Sequence, residues 1–202
     1  MVLKIKSISI PFLIFLCIAF FTMLSCGTGS EQQVDAIAAN EEDYFNFQSL
    51  NLQTFGIHAY IMVPDETAGI GATTRPEVVH KENDFKWKLL VGPNFELIVE
   101  DYGEYNNLIR DMKNRLKEEQ MFRIQYLTEE SDLLVYKRTL IVRGVKNASP
   151  KVGVEHFSYH VYAIRSADGI NYELRSNDEG NSKEIIELMV KSIRSFKELK
   201  VS

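Results

Sequence analysis

Residues 86–101 read KWKLLVGPNFELIVED. Two largely apolar runs, Lys86–Val91 and Phe95–Asp101, flank the triplet Gly92-Pro93-Asn94. Glycine tolerates a positive φ, proline presets a turn angle and asparagine bonds its own backbone, so the triplet predicts a chain reversal and a β-hairpin. Upstream, Ile57–Val63 forms another strand-like run that stops at Pro64. Downstream, the period changes. Across Glu104–Glu119, Tyr105, Leu108, Ile109, Met112 and Leu116 recur at helical spacing, while Arg110, Lys113, Asn114 and Lys117 take the opposite side.

Beyond that helix come Phe122–Thr128 and Leu133–Val142, joined across Glu129-Glu130-Ser131-Asp132. Gly153–Arg165 and Ile170–Arg175 follow, joined at Ala167-Asp168-Gly169. Four consecutive strands predict an antiparallel meander. The chain closes on a second helix, Ser182–Leu199, with Asn181 as N-cap, Glu184 at the capping-box position and a buried face of Ile186, Met189, Ile193 and Phe196. The order β-β-β-α-β-β-β-β-α predicts an α+β domain: a largely antiparallel sheet covered by two amphipathic helices, with Met112 and Ile193 buried.

At 202 residues, 45% hydrophobic and 25% charged, the chain has room for one sizeable core. Its net charge of −5 becomes −7 if Lys4 and Lys6 leave with an N-terminal leader. That balance speaks against a nucleic-acid partner, which needs clustered cations to displace phosphate counterions. Both cysteines, Cys17 and Cys26, lie near the N-terminus. The region beyond residue 26 therefore holds no disulfide, thiolate metal cluster or catalytic cysteine.

The N-terminus reads as a secretory signal: Lys4 and Lys6, then the apolar run Ile8–Phe21, then Thr22-Met23-Leu24-Ser25-Cys26-Gly27. A small residue before a cysteine at the end of such a run resembles the lipobox of bacterial lipoproteins. Met23 and Leu24 depart from that pattern; Ser25 and Cys26 match it. The resemblance implies cleavage before Cys26 and lipidation of its thiol by acyl chains such as palmitate, which would anchor the protein to a membrane. Three other readings stay open: an uncleaved apolar anchor, cleavage after Gly27 into a free secreted protein, and an incidental cysteine. The division expected is a signal peptide over 1–25, the lipidated cysteine and a flexible tether over 26–43, and a single α+β domain over 44–202. The tether residues 27–40, GTGSEQQVDAIAAN, would reach on the order of 20 Å. By the sorting rule of enterobacterial lipoproteins, Gly27 in place of Asp favours the outer over the inner membrane.

The element order, the Trp87 strand before a Gly-Pro turn, and the closing Lys191-Ser192-Ile193-Arg194-Ser195-Phe196 resemble the PsbP-like fold. The resemblance spans about residues 52–198. That family is mostly non-catalytic, so it implies a binding or assembly module.

Sequence motifs add little chemistry. His156 and His160 would lie on one face of a strand, with Phe157, Tyr159, Val161 and Ala163 on the other. Four residues of strand separate their Cα atoms by about 13 Å, too far for two imidazoles to share one zinc. Acidic groups at Glu100-Asp101, Glu129-Glu130-Asp132 and Asp178-Glu179 lack calcium-loop spacing and read as solvated charge. Hydrolase, metalloprotease and phosphate-loop motifs are absent, and Asn147-Ala148-Ser149 is an incidental glycosylation sequon. No catalytic residue, metal ligand or cofactor is assigned. The long segment Pro64–Asp84, holding Gly69, Gly71 and Pro76, shows no regular element before Val78 and gathers Arg75, His80 and Lys81 as a candidate surface for an anionic partner. The expected function is a non-catalytic envelope lipoprotein binding an envelope protein or small ligand. A metal-independent envelope hydrolase and a structural or stress lipoprotein are the alternatives.

Overall fold

A computed structural model describes residues 44–71, 75–141 and 156–200. The signal peptide, Cys26, the tether and the sequon at Asn147 lie outside the described residues. Within them the protein is α+β, with every strand pair antiparallel. The strands are β1 (Phe47–Asn51), β2 (Ala59–Pro64), β3 (Glu77–His80), β4 (Lys86–Val91), β5 (Phe95–Asp101), β6 (Phe122–Glu129), β7 (Leu133–Leu140), β8 (Phe157–Ala167), β9 (Ile170–Ser176) and β10 (Lys197–Glu198). The helices are α1 (Leu108–Glu118) and α2 (Lys183–Ser195).

The hairpin at Gly92-Pro93-Asn94 forms as expected: Val91 faces Phe95, and Gly92 takes a positive φ. β6 through β9 make the meander. Pairing of Leu97–Asp101 with Ser176–Tyr172 joins meander and hairpin into one seven-stranded sheet, β3-β4-β5-β9-β8-β7-β6. α1 thus carries the chain from the middle of the sheet to its far edge. A smaller sheet, β1-β2-β10, stands apart from these ladders.

The two helices cover opposite faces of the large sheet, because alternate residues of a strand point opposite ways. On β7, Leu133 and Val135 enter the main core, together with Ile186, Met189 and Ile193 of α2 and Ile57, Ala59, Ile61 and Val63 around β2. The intervening Leu134 and Tyr136 join Tyr162 beneath Leu108, Met112 and Leu116 of α1. Ile193 is fully buried and Met112 is buried at 8% exposure.

The structure adds three short strands that sequence periodicity left out. β1 is a mixed polar segment fixed by pairing with β2, and β3 lies late in the Pro64–Asp84 segment, with Val78 facing Leu89. β10 takes two residues from the expected end of the second helix, because Lys197 and Glu198 pair with Tyr60 and Ala59. Beyond β10, the Ser195 hydroxyl accepts from the Met62 amide at 2.8 Å and extends the ladder.

Helix boundaries also shift. α1 begins at Leu108, and Tyr105, expected on its buried stripe, is exposed and donates its hydroxyl to Asp111. The N-cap of α2 is Ser182, whose hydroxyl accepts from the Ile185 amide, in place of Asn181. The reason is long-range: Asn181 exchanges both backbone bonds with Tyr159 at 3.0 Å and so belongs to the sheet.

Candidate functional site

The α1-covered face of β7, β8 and β9 carries a band of buried polar side chains. Strand alternation places Tyr136, His160 and Tyr162 on this face, and Tyr136 faces His160 directly across the ladder. Their rings stack with centroids 5.1 Å apart. Tyr162 donates to Glu173 at 2.6 Å, and the Glu173 carboxylate also meets Arg175 at 2.8 Å. Arg175 reaches Asp178 as well, at 3.0 Å. Burial raises the Tyr136 and Tyr162 phenols above their usual range, with the Glu173 hydrogen bond adding to the rise at Tyr162. Glu173 faces Glu100 across the ladder; Arg175 offsets the charge on one side and Lys86, 3.6 Å from Glu100, on the other.

His160 is 3% exposed, and its Nε2 lies 2.8 Å from the Ser158 hydroxyl. A serine beside an imidazole is the contact a nucleophilic hydrolase needs. Here burial, reinforced by nearby Arg138, pushes the ring down to about 4, against smaller opposing effects from Asp178 and the Asn177 backbone. Such a ring is neutral at pH 7 but is a poor general base. It is also walled in. After Ser176 the chain leaves the ladder, and Asn177–Gly180 arches out before Asn181 returns to Tyr159. The Asn177 side chain accepts from the Gly180 amide at 2.9 Å, closing the arch over the ring. A Cβ at Gly180 would stand 2.6 Å from His160 Cε1 and Nε2, and Gly180 has φ +75°. Gly180→Ala therefore combines backbone strain with overpacking and should cost about 2 kcal/mol. Urea denaturation checks this, and His160→Ala in the same chain should return part of the loss. Full additivity of the two changes would show that ring and glycine do not meet.

The residues singled out from the sequence do not converge. Arg75 is exposed ahead of β3, while His80 ends that strand and Lys81 follows it. Five residues of extended chain put Arg75 and His80 about 16 Å apart. The His80 ring stacks on Trp87 at 4.8 Å, and its Nδ1 lies 3.0 Å from the Lys86 carbonyl, so His80 helps pack the β3–β4 edge. His156 is exposed just ahead of β8, and His160 is enclosed. Among the described residues, no group of three His, Cys, Asp or Glu side chains could hold a metal ion.

An open hollow of about 400 Å³ lies elsewhere, on the solvent side of α1. One wall is the polar stripe Arg110, Lys113, Asn114 and Lys117, preceded by Asn106 and Asn107; the other is the β6–β7 turn at Glu130-Ser131. The stripe was legible as the wet side of an amphipathic helix. Its opposing wall was not, because only the crossover from β5 to β6 brings that turn alongside.

No protein-family model, curated protein or solved structure matches this chain. The functional reading therefore rests on the residues themselves. Glu130 is engaged by Arg194 at 2.6 Å, and the other charged groups of the lining are Arg110, Lys113 and Lys117. Arg110 meets Asp111 at 3.2 Å and Lys113 meets Glu129 at 2.7 Å, both across exposed contacts. Surface pairs of this kind are worth about 0–1 kcal/mol and exchange readily for another anion.

Proposed function

We propose that the protein is a lipid-anchored component of a bacterial cell envelope whose domain binds a partner and does not turn over a substrate. The observation that carries the second half is the state of the buried side chains of Glu173 and His160. Glu173 is held by Tyr162 and Arg175, and His160 is enclosed by Tyr136, Ser158 and Gly180. Neither is presented to a ligand, whereas the α1 hollow is open and lined by mixed hydrogen-bonding groups. The resemblance to the mostly non-catalytic PsbP-like family supports the same reading.

The anchor rests on Ser25-Cys26 at the end of the apolar leader. A diacylated cysteine holds stably to a bilayer where one chain alone exchanges. Gly27 places the outer membrane ahead of the inner in this reading. Cys26→Ala should abolish incorporation of labelled palmitate and leave the leader uncleaved by signal peptidase II. Unchanged labelling in that variant would refute the anchor and leave the binding domain to be judged separately.

A further inference from the structure

We infer that the α1 hollow is a binding site for a phosphate-bearing polyanion, taken either free in solution or as the headgroup of a membrane lipid. The inference rests on the reading of this domain as a binding module and names the chemistry of its ligand. The hollow's cations, Arg110, Lys113 and Lys117, stand at intervals of three and four residues, so they share one side of α1. Seven residues of helix separate the first from the last, which spreads three positive charges over about 10 Å. A single compact anion would engage only part of that row; a chain of linked phosphates, or a headgroup layer, engages all of it.

Three further features point to an anion. The only carboxylate in the lining, Glu130, is already paired with Arg194 on its far side. The hollow also reaches the start of α1, where first-turn amides and the helix dipole favour negative charge. Asn107 occupies the N-cap there without bonding the helix through its side chain, and that side chain lines the hollow instead. Asn106, Asn114 and Ser131 add hydrogen-bonding groups to the same lining. Arg110 and Lys113 are held here only by the surface partners Asp111 and Glu129, which an incoming polyanion would displace.

The test uses the full chain, isotope-labelled, in a non-ionic detergent. Sodium tripolyphosphate is titrated in one arm; micelles doped with phosphatidylglycerol or with phosphatidylcholine form the other. Saturable shifts should appear in the amides of Asn106–Arg110 and Lys113–Lys117. The triple variant Arg110→Gln, Lys113→Gln, Lys117→Gln should weaken tripolyphosphate binding about tenfold or more, an amount expected from losing three surface charge contacts. A control with the same charge change elsewhere, Lys81→Gln, Lys183→Gln, Lys200→Gln, should bind within about twofold of the parent. Shifts with phosphatidylglycerol but not phosphatidylcholine assign the lipid source; shifts with tripolyphosphate alone assign the free polyanion. Absence of saturable shifts in both arms, or equal weakening by both triple variants, overturns the site. Neither result depends on whether Cys26 is acylated, so failure here is separable from failure of the anchor.

Discussion

Ile193→Asp should destabilise the domain by about 4–5 kcal/mol, enough to leave a domain of ordinary stability largely unfolded under mild denaturant. Ile193 has no exposed surface and belongs to the main core, where α2 meets the large sheet and the strand β2. Losing its buried side chain forfeits about 2 kcal/mol of apolar transfer, and the new carboxylate adds a desolvation cost of similar or greater size. The Arg165 guanidinium bonds the Ile193 carbonyl at 3.1 Å but already pairs with Asp132 at 2.6 Å, so the new carboxylate would have to compete for it. The same substitution at Met112 should cost less, about 2–3 kcal/mol. Met112 retains 8% exposure in the smaller cluster under α1, and a carboxylate there can rotate towards water. Ile193→Val, which removes one methylene and adds no charge, should cost about 1 kcal/mol. Urea denaturation of the three variants gives the ranking. A midpoint for Ile193→Asp equal to that of the parent would refute the packing of α2 between the two sheets.

That ranking draws on what local pattern encodes well. Ile186, Met189 and Ile193 recur at helical spacing and could bury only one side of a helix, and Gly92-Pro93-Asn94 could only reverse the chain. The meander followed from four strand-forming runs, joined in two pairs by the short turns at Glu130-Ser131-Asp132 and Asp168-Gly169. Features set by distant pairing were not legible. β10 exists because β2 offers it an edge, and Asn181 lost its capping role because Tyr159 had claimed its backbone. β3 has one half-buried position, Val78, in a four-residue edge strand, which leaves almost no periodic signal.

The candidate surfaces divide in the same way. Arg75, His80 and Lys81 were grouped by nearness in sequence, and an extended strand then spread them along an edge where His80 is occupied by Trp87. The α1 hollow required a helix side and a turn from separate parts of the chain. His156 stands exposed ahead of β8, whereas His160 is enclosed within it. Its enclosure involves Gly180, whose approach depends on an arch after β9 that no local motif announces.

That burial makes stability depend on pH in a defined direction. The His160 ring titrates near 6.5 in the unfolded chain and is pushed down to about 4 in the fold, chiefly by burial. Between those values the unfolded chain binds a proton that the folded protein refuses. His160 therefore exacts no such penalty above pH 6.5, and stability falls as pH drops from there towards 4, by about 3 kcal/mol at the lower end. The groups around the ring do not reverse the sign: Arg138 on β7 adds to the depression, Asp178 and the Asn177 backbone on the arch oppose it, and Tyr136 stays neutral throughout. His160→Phe retains an aromatic ring against Tyr136 and removes the titration. Its stability relative to the parent should improve by about 3 kcal/mol between pH 7.5 and pH 4, whatever fixed cost the lost Ser158 contact imposes. Comparing the two chains at each pH cancels the carboxylates, which titrate in both. A parent-to-variant difference that stays flat across this range would mean that protonated His160 is accommodated, and that the arch does not seal the ring from water.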